Sequence, residues 1–300
     1  MKKKTKKILK ITLLPLLIIV LGNIIFYVYC FLTPKLEINK SQSYYLYDNN
    51  SKLVFGDNDW ISLDKISDDL INATISTEDK YFYKHIGFDY LRIGKAAITN
   101  IINRNKSEGA STITQQYARN LFLNFDKTWK RKIDEAILAG ELEVHYTKKE
   151  ILEGYLNTIN YGGVYGIESA SKYYFDKSAS NLSLAEAALL AGIPKSPNNY
   201  SPIKNYSKAK ERQKIVLTMM KKNKVISEEE YQKALNENIT IVGKSKESNI
   251  ASVNYFKDSV LEELKSLKQI PSNIIETGGL KIYTTLDSEA QENLENSVQK

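Results

Sequence analysis

The sequence predicts a mainly α fold behind an N-terminal membrane-spanning helix. Three observations carry that expectation. Apolar residues recur at three- and four-residue spacings from about Ser67 to Lys222, between capping and breaking signals. An almost unbroken apolar run, Ile11–Leu32, follows a lysine-rich start. Four polar clusters interrupt the helical pattern in turn: Glu78-Asp79, Gly109–Asn120, Arg131–Glu135 and Glu150–Asn157.

The run Ile11–Leu32 is broken only by Pro15, Gly22 and Asn23. About 22 residues rising about 1.5 Å each reach about 33 Å, enough for a hydrocarbon core of about 30 Å. Lys2, Lys3, Lys4, Lys6, Lys7 and Lys10 precede it without an acid, so residues 1–10 are expected in the cytoplasm and residues 33–300 outside. The run ends in Tyr27-Val28-Tyr29-Cys30-Phe31-Leu32, which offers no small-x-small cleavage site, so an uncleaved signal-anchor is expected. The same six lysines supply most of the formal charge of +7. The remaining chain is close to neutral, which argues against a basic nucleic-acid face. Cys30 is the only cysteine and there are two histidines, so a structural zinc site has too few ligands.

Residues 33–59 read as a polar and aromatic tether with room for a short strand or two. Asp89 is placed to N-cap a helix running through Leu91, Ala97, Ile98 and Ile101 toward Arg104. Asn103–Gly109 reads as a polar loop, and another helix is expected from Ser111 to Leu121. Trp129–Tyr146 and Lys148–Leu156 are two further helices. The string Tyr161-Gly162-Gly163-Val164-Tyr165-Gly166 reads as a turn, and Leu184–Leu190 as a short buried helix stopped at Gly192 and Pro194. After Ile226 the chain is more charged. Gly278–Asp287 then reads as a turn, a short strand and an aspartate able to cap a last helix to Lys300.

Each cluster has a plain structural reading and a chemical one. Glu78-Asp79 at a helix end is usually capping or solvated charge, and His85 a packed histidine. A carboxylate among Tyr81, Phe82 and Tyr83 also suits a general base, if burial or a second carboxylate raises its proton affinity. On a helix from Ser111, Thr112, Gln116, Arg119 and Asn120 share a face. That stripe is either solvated or arranged to bind sugar and diphosphate oxygens. Arg131 and Glu135 are i,i+4 partners on a helix. Leu121-Phe122-Leu123-Asn124-Phe125 and Trp129 read as core, or as an apolar lip dipping into a bilayer.

In this order the clusters resemble the glycosyltransferase domain of class A penicillin-binding proteins and monofunctional peptidoglycan transglycosylases. The family pattern Glu-Asp-x-x-Phe-x-x-His-x-Gly is met at Glu78, Asp79, Phe82, His85 and Gly87. Its Gly-x-Ser-Thr-Ile-Thr-Gln-Gln string is met by Gly109–Gln116, with Ser111, Thr112, Gln115 and Gln116 as substrate contacts. The Lys-Asn that follows in the family is Arg119-Asn120 here, which keeps the positive charge but changes its geometry. The resemblance covers residues 60–225, with residues 226–300 resembling the start of a connector to a transpeptidase domain. No Lys-Thr-Gly or Lys-Ser-Gly accompanies the Ser-x-x-Lys strings, so penicillin binding is not expected of this chain.

The resemblance implies a lysozyme-like, two-lobed helical domain and an inverting transfer that polymerises lipid II into β-1,4 glycan. It assigns Glu78 as general base and Glu135 as the second essential carboxylate. It makes Arg119, Arg131 and Lys132 cations for the departing diphosphate, and Asp79, Phe82, His85, Asn120 and Glu168 substrate-site residues. The cluster Glu150–Asn157 is expected mostly to shape the fold. No dedicated cofactor is implied; Mg²⁺ or Mn²⁺ would ride on the substrate diphosphate. The expected partners are lipid II, the growing glycan strand, the membrane and other wall-synthesis or division proteins. A membrane-anchored scaffold without catalysis and a glycan-cleaving enzyme of lysozyme type are the alternatives.

Overall fold

The computed structural model describes residues 17–18, 20–38, 44–55, 59–103, 110–123, 128–243, 251–267, 270, 275 and 280–298. The described chain is mainly helical, as expected, with one small sheet. Helix α1 spans residues 20–32. No helix among the described residues is long and apolar enough to cross a membrane. The expected anchor, 11–32, lies partly outside the described residues, at 11–16 and 19, as does the basic start.

Two strands follow in the tether, β1 (Tyr45–Tyr47) and β2 (Leu53–Phe55). The helical body then comprises α2 (Asp68–Glu78), α3 (Tyr90–Asn103), α4 (Ile113–Phe122), α5 (Trp129–His145), α6 (Lys148–Thr158), α7 (Ile167–Phe175) and α8 (Leu184–Gly192). The short α9 (Pro197–Tyr200), α10 (Tyr206–Lys222) and α11 (Glu228–Asn236) complete it. Beyond it lie α12 (Ala251–Ser266), β3 (Lys281–Tyr283) and α13 (Ser288–Val298).

Local signals explain most boundaries. Thr112, Thr147, Ser183 and Ser227 each close a capping box with the residue three positions on, satisfying two backbone donors per helix start. Asp89 accepts from Arg92 N at 2.9 Å and starts α3, and Asp287 accepts from Ala290 N at 2.9 Å and starts α13. The turn after α6 needs left-handed backbone at Gly162 (φ 84°) and Gly163 (φ 108°), which glycine alone adopts without strain. The sequence places the second-cluster helix at Ser111–Leu121. It runs instead over Ile113–Phe122, because Thr112 is its N-cap. Residues 104–109, the expected polar loop, lie outside the described residues.

One apolar core runs through two groups of helices, α2 with α8 and α10, and α4 with α5 and α6. Helix α8 sits at the centre of its group, buried from Ala185 to Gly192, and its alanines let α2 and α10 approach closely. The strap 59–63 is fastened to α6. Asn157 accepts from Ile61 N at 3.0 Å and donates to Ile61 O at 2.8 Å, while Glu153 accepts from Trp60 Nε1 and Leu63 N, each at 3.0 Å. The sheet has order β2-β1-β3, with β1 antiparallel to β2 and parallel to β3. It joins the tether to a strand more than two hundred residues later.

Gly154 of α6 faces the fully buried Tyr117, and a Cβ there would lie 2.0 Å from its hydroxyl oxygen. Gly154→Ala is expected to cost about 1–3 kcal/mol of stability, measured as a fall of about 2–10 °C in the thermal unfolding midpoint.

Candidate active site

The site is built where the C-terminus of α2 meets the N-terminus of α4. Glu78 is the last residue of α2 and Asp79 its C-cap. The Asp79 carboxylate is fully buried. It accepts from the backbone N–H of Ile113, the first residue of α4, at 3.0 Å, and His85 Nε2 donates to both its oxygens at 3.0 Å. A carboxylate at a helix N-terminus is favoured by the orphan N–H groups and the helix dipole. Asp79 and His85 therefore dock the two helices together. Phe82, also fully buried, packs its ring edge-on against His85 and lies under the Lys148 ammonium, 4.4 Å from the ring centre.

This docking brings Gln116, one turn into α4, against Glu78. Gln116 Nε2 donates to Glu78 Oε2 at 2.9 Å, and the Tyr155 hydroxyl of α6 donates to Gln116 Oε1 at 3.3 Å. From α3, Arg92 Nη1 donates to the main-chain oxygen of Glu78. Glu78 itself keeps 8% of its surface exposed. Burial, with Glu78's negative charge as the next cause, pushes the Tyr155 hydroxyl well above its ordinary value. The same two causes raise Tyr161. Both phenols therefore keep their protons and remain donors near neutral pH.

The second carboxylate, Glu135 on α5, is fully buried and held by two cations. Arg131 Nη1 pairs with Oε2 at 2.5 Å, and Lys132 Nζ pairs with Oε1. Lys132 also donates to Ser111 Oγ at 3.1 Å, just before α4 begins. The two carboxylates thus lie on different approaches to one helix start, Glu78 through Gln116 and Glu135 through Lys132 and Ser111. Two cations on one carboxylate leave the second group net positive.

The structure sorts the remaining candidates. Thr112 and Gln115 are buried and serve the capping box, and Thr112 also donates to Gly87 O at 2.7 Å, so they position α4. Gln116 and Arg119 are the partly exposed polar residues of that helix, and Asn120 is buried in its last turn. Glu168 is not brought to Glu78. It accepts from Ala179 N at 2.8 Å and from Ser178 Oγ at 3.1 Å. Ala179 O in turn accepts from the N–H of Ser67, the N-cap at the opposite end of α2. An 11-residue helix puts those ends about 16 Å apart. Among the described residues, no group of three His, Cys, Asp or Glu side chains is placed to hold a metal ion.

Sequence reasoning did not single out Arg92, Tyr155 or Tyr161. Tyr155 stood inside the cluster Glu150–Asn157, which was assigned to the fold as a block. In the structure Tyr155 lies on α6 among the buried Ile151, Leu152, Gly154 and Leu156.

Removing the docking carboxylate tests this geometry. Asp79→Ala leaves the Ile113 N–H and His85 without their acceptor and is expected to cost about 2–4 kcal/mol, read from denaturant unfolding. An unchanged midpoint would mean that α4 is docked by other contacts.

The profile of the family described as Transglycosylase matches residues 51–221. Penicillin-binding protein 2D of Bacillus subtilis is 48% identical over 240 residues, 80% of this chain and 35% of that protein. Penicillin-binding protein 1A/1B of the same organism is 39% identical over 310 residues, 98% of this chain and 34% of that protein. A crystal structure of Penicillin-Binding Protein 1A from Haemophilus influenzae aligns with a TM-score of 0.42 and 23% identity, covering 88% of this chain and 29% of that one. The chain spans about a third of the length of these curated relatives. With more than half of its residues matched by one family profile, and all four polar clusters inside the match, the chain belongs to the transglycosylase family, the glycosyltransferase domain of class A penicillin-binding proteins.

Proposed function

We propose that this chain is a peptidoglycan glycosyltransferase that polymerises lipid II into glycan with inversion at the donor carbon. The observation that carries the reading is the pairing of two differently housed carboxylates about the start of α4. Glu78 is buried but for 8% of its surface and meets one neutral amide donor, whereas Glu135 is fully buried and neutralised by Arg131 and Lys132. The first arrangement suits a base and the second suits a holder of cations.

In this reading Glu78 takes the proton from the acceptor's sugar 4-hydroxyl as that oxygen forms its bond to C1 of the donor sugar. The bond from C1 to the diphosphate oxygen breaks, and polyprenyl diphosphate leaves with the electron pair. Arg131, Lys132 and Arg119 meet the developing negative charge. Glu135 keeps the first two heads in place before substrate arrives, so little reorganisation accompanies the transfer. Any Mg²⁺ or Mn²⁺ would travel on the diphosphate as part of the substrate.

The lysozyme-like, two-lobed form and a single membrane-spanning helix with the catalytic domain outside belong to the same proposal. It is supported by the apolar run 11–32, the lysines before it and the apolar exposure of α1 at Ile25, Phe31 and Leu32. Trp129 (87% exposed) and Leu91 (83% exposed) suit a bilayer surface beside the site. Such a placement fits a lipid-linked substrate, with other wall-synthesis proteins as further partners.

The test is gel-resolved polymerisation of labelled lipid II by the full chain in detergent. Wild type is expected to give glycan ladders, and Glu78→Gln to lower the rate by about 10²–10⁴-fold. Shortening of preformed strands would point to a hydrolase, and absence of polymer from folded wild type to a scaffold. Arg131→Ala is expected to lower kcat/KM by about 10²-fold in the same assay while the fold, followed by circular dichroism, is kept.

A further inference from the structure

The contact between Tyr155 and Gln116 reaches beyond the assignment of Glu78. A carboxamide has a donor end and an acceptor end of nearly the same shape, and only its neighbours decide which faces a third group. Gln116 lies between two such neighbours. Its Nε2 donates to Glu78 Oε2 at 2.9 Å, and its Oε1 accepts from the Tyr155 hydroxyl at 3.3 Å, a long hydrogen bond. Tyr155 is fully buried, and burial holds its proton, so the hydroxyl keeps a hydrogen to donate to Gln116 Oε1.

We propose that Tyr155 is a positioning residue for the transfer reaction: its hydroxyl fixes the Gln116 amide so that Glu78 always meets an N–H and never the amide oxygen. The proposal rests on the reading of Glu78 as the base. With the amide reversed, a carbonyl oxygen would face the carboxylate, which tolerates that neighbour only when protonated, and a protonated Glu78 accepts no proton. The relay therefore keeps an N–H, and not an oxygen, against the carboxylate that takes the proton.

Other groups around Glu78 do not duplicate this contact. Asp79, next in sequence, is engaged with His85 and Ile113 N. Arg92 of α3 is bonded to the main-chain oxygen of Glu78. Arg119 of α4 acts electrostatically on Tyr155, and the Glu78 charge, after burial, raises Tyr161. On the far side of α2, α10 reaches Ser76 O through Asn223, and Glu186 of α8 is paired with Lys177.

The experiment is the pH–rate profile of lipid II polymerisation by the full chain, with Tyr155→Phe, Gln116→Met, the double variant and Glu78→Gln. A donor to the charged form favours that form, so its loss moves the acid limb upward. Tyr155→Phe is expected to raise the limb by about one pH unit. Gln116→Met should raise it at least as far, and adding Tyr155→Phe to it should move it no further. A merely structural tyrosine would lower the plateau or the melting temperature and leave the limb in place. Coincident limbs for wild type and Tyr155→Phe, or additive shifts, would overturn the relay. Should Tyr155→Phe fail to fold, an unmoved limb in Gln116→Met overturns it equally. Full polymerisation by Glu78→Gln would instead remove the base reading, and the relay with it.

Discussion

The site depends on a single buried carboxylate. Asp79 has no surface exposure, and its oxygens take the first N–H of α4 together with the ring N–H of His85. An isolated buried carboxylate is among the most costly groups a fold can hold, so its donors must be in place whenever the chain is folded. That requirement locks the C-terminus of α2 onto the N-terminus of α4. Glu78 and Gln116 meet as a consequence, because one is the neighbour of Asp79 and the other lies a turn beyond Ile113.

The two halves of the site use burial in opposite ways. Around Glu135, burial removes water competition and makes the two ion pairs geometrically specific, which leaves the cation heads pre-placed. Around Glu78 the carboxylate accepts from the Gln116 amide, the Tyr155 phenol bonds to that amide in turn, and Arg92 holds the main-chain oxygen. The first group is rigid and net positive. The second meets its carboxylate through a neutral amide.

The surroundings tie this centre to the chain's N-terminal part. Phe26 and Cys30 of α1 rest on Gly140 of α5, where a Cβ would come within 2.6 Å of the Phe26 ring. His145 donates to the carbonyls of Cys30 and Thr33 at 3.2 and 3.0 Å and closes the end of α1. The helix that carries Glu135 is thus the helix on which α1 is seated.

Much of this was legible in the residues. Capping boxes, glycine turns and three-to-four spacing depend on neighbours within a few positions, and so the helices and the turn at Gly162-Gly163 could be read directly. The polar clusters, through their resemblance to one family, pointed to Glu78, Gln116, Arg131 and Glu135. Sequence alone could not say that Thr112 and Gln115 face into a cap, since a one-turn shift in the start of α4 moves them off the stripe. Nor could it separate Glu168 from the site, because that depends on the turn at Ala179, which binds Glu168 and the start of α2 together. The parallel pairing of β1 with β3 and the meeting of Tyr155 with Gln116 were likewise decided by tertiary structure. Local propensity determines elements over a few residues, whereas these contacts join segments far apart in the chain and exist only when the common core brings them together.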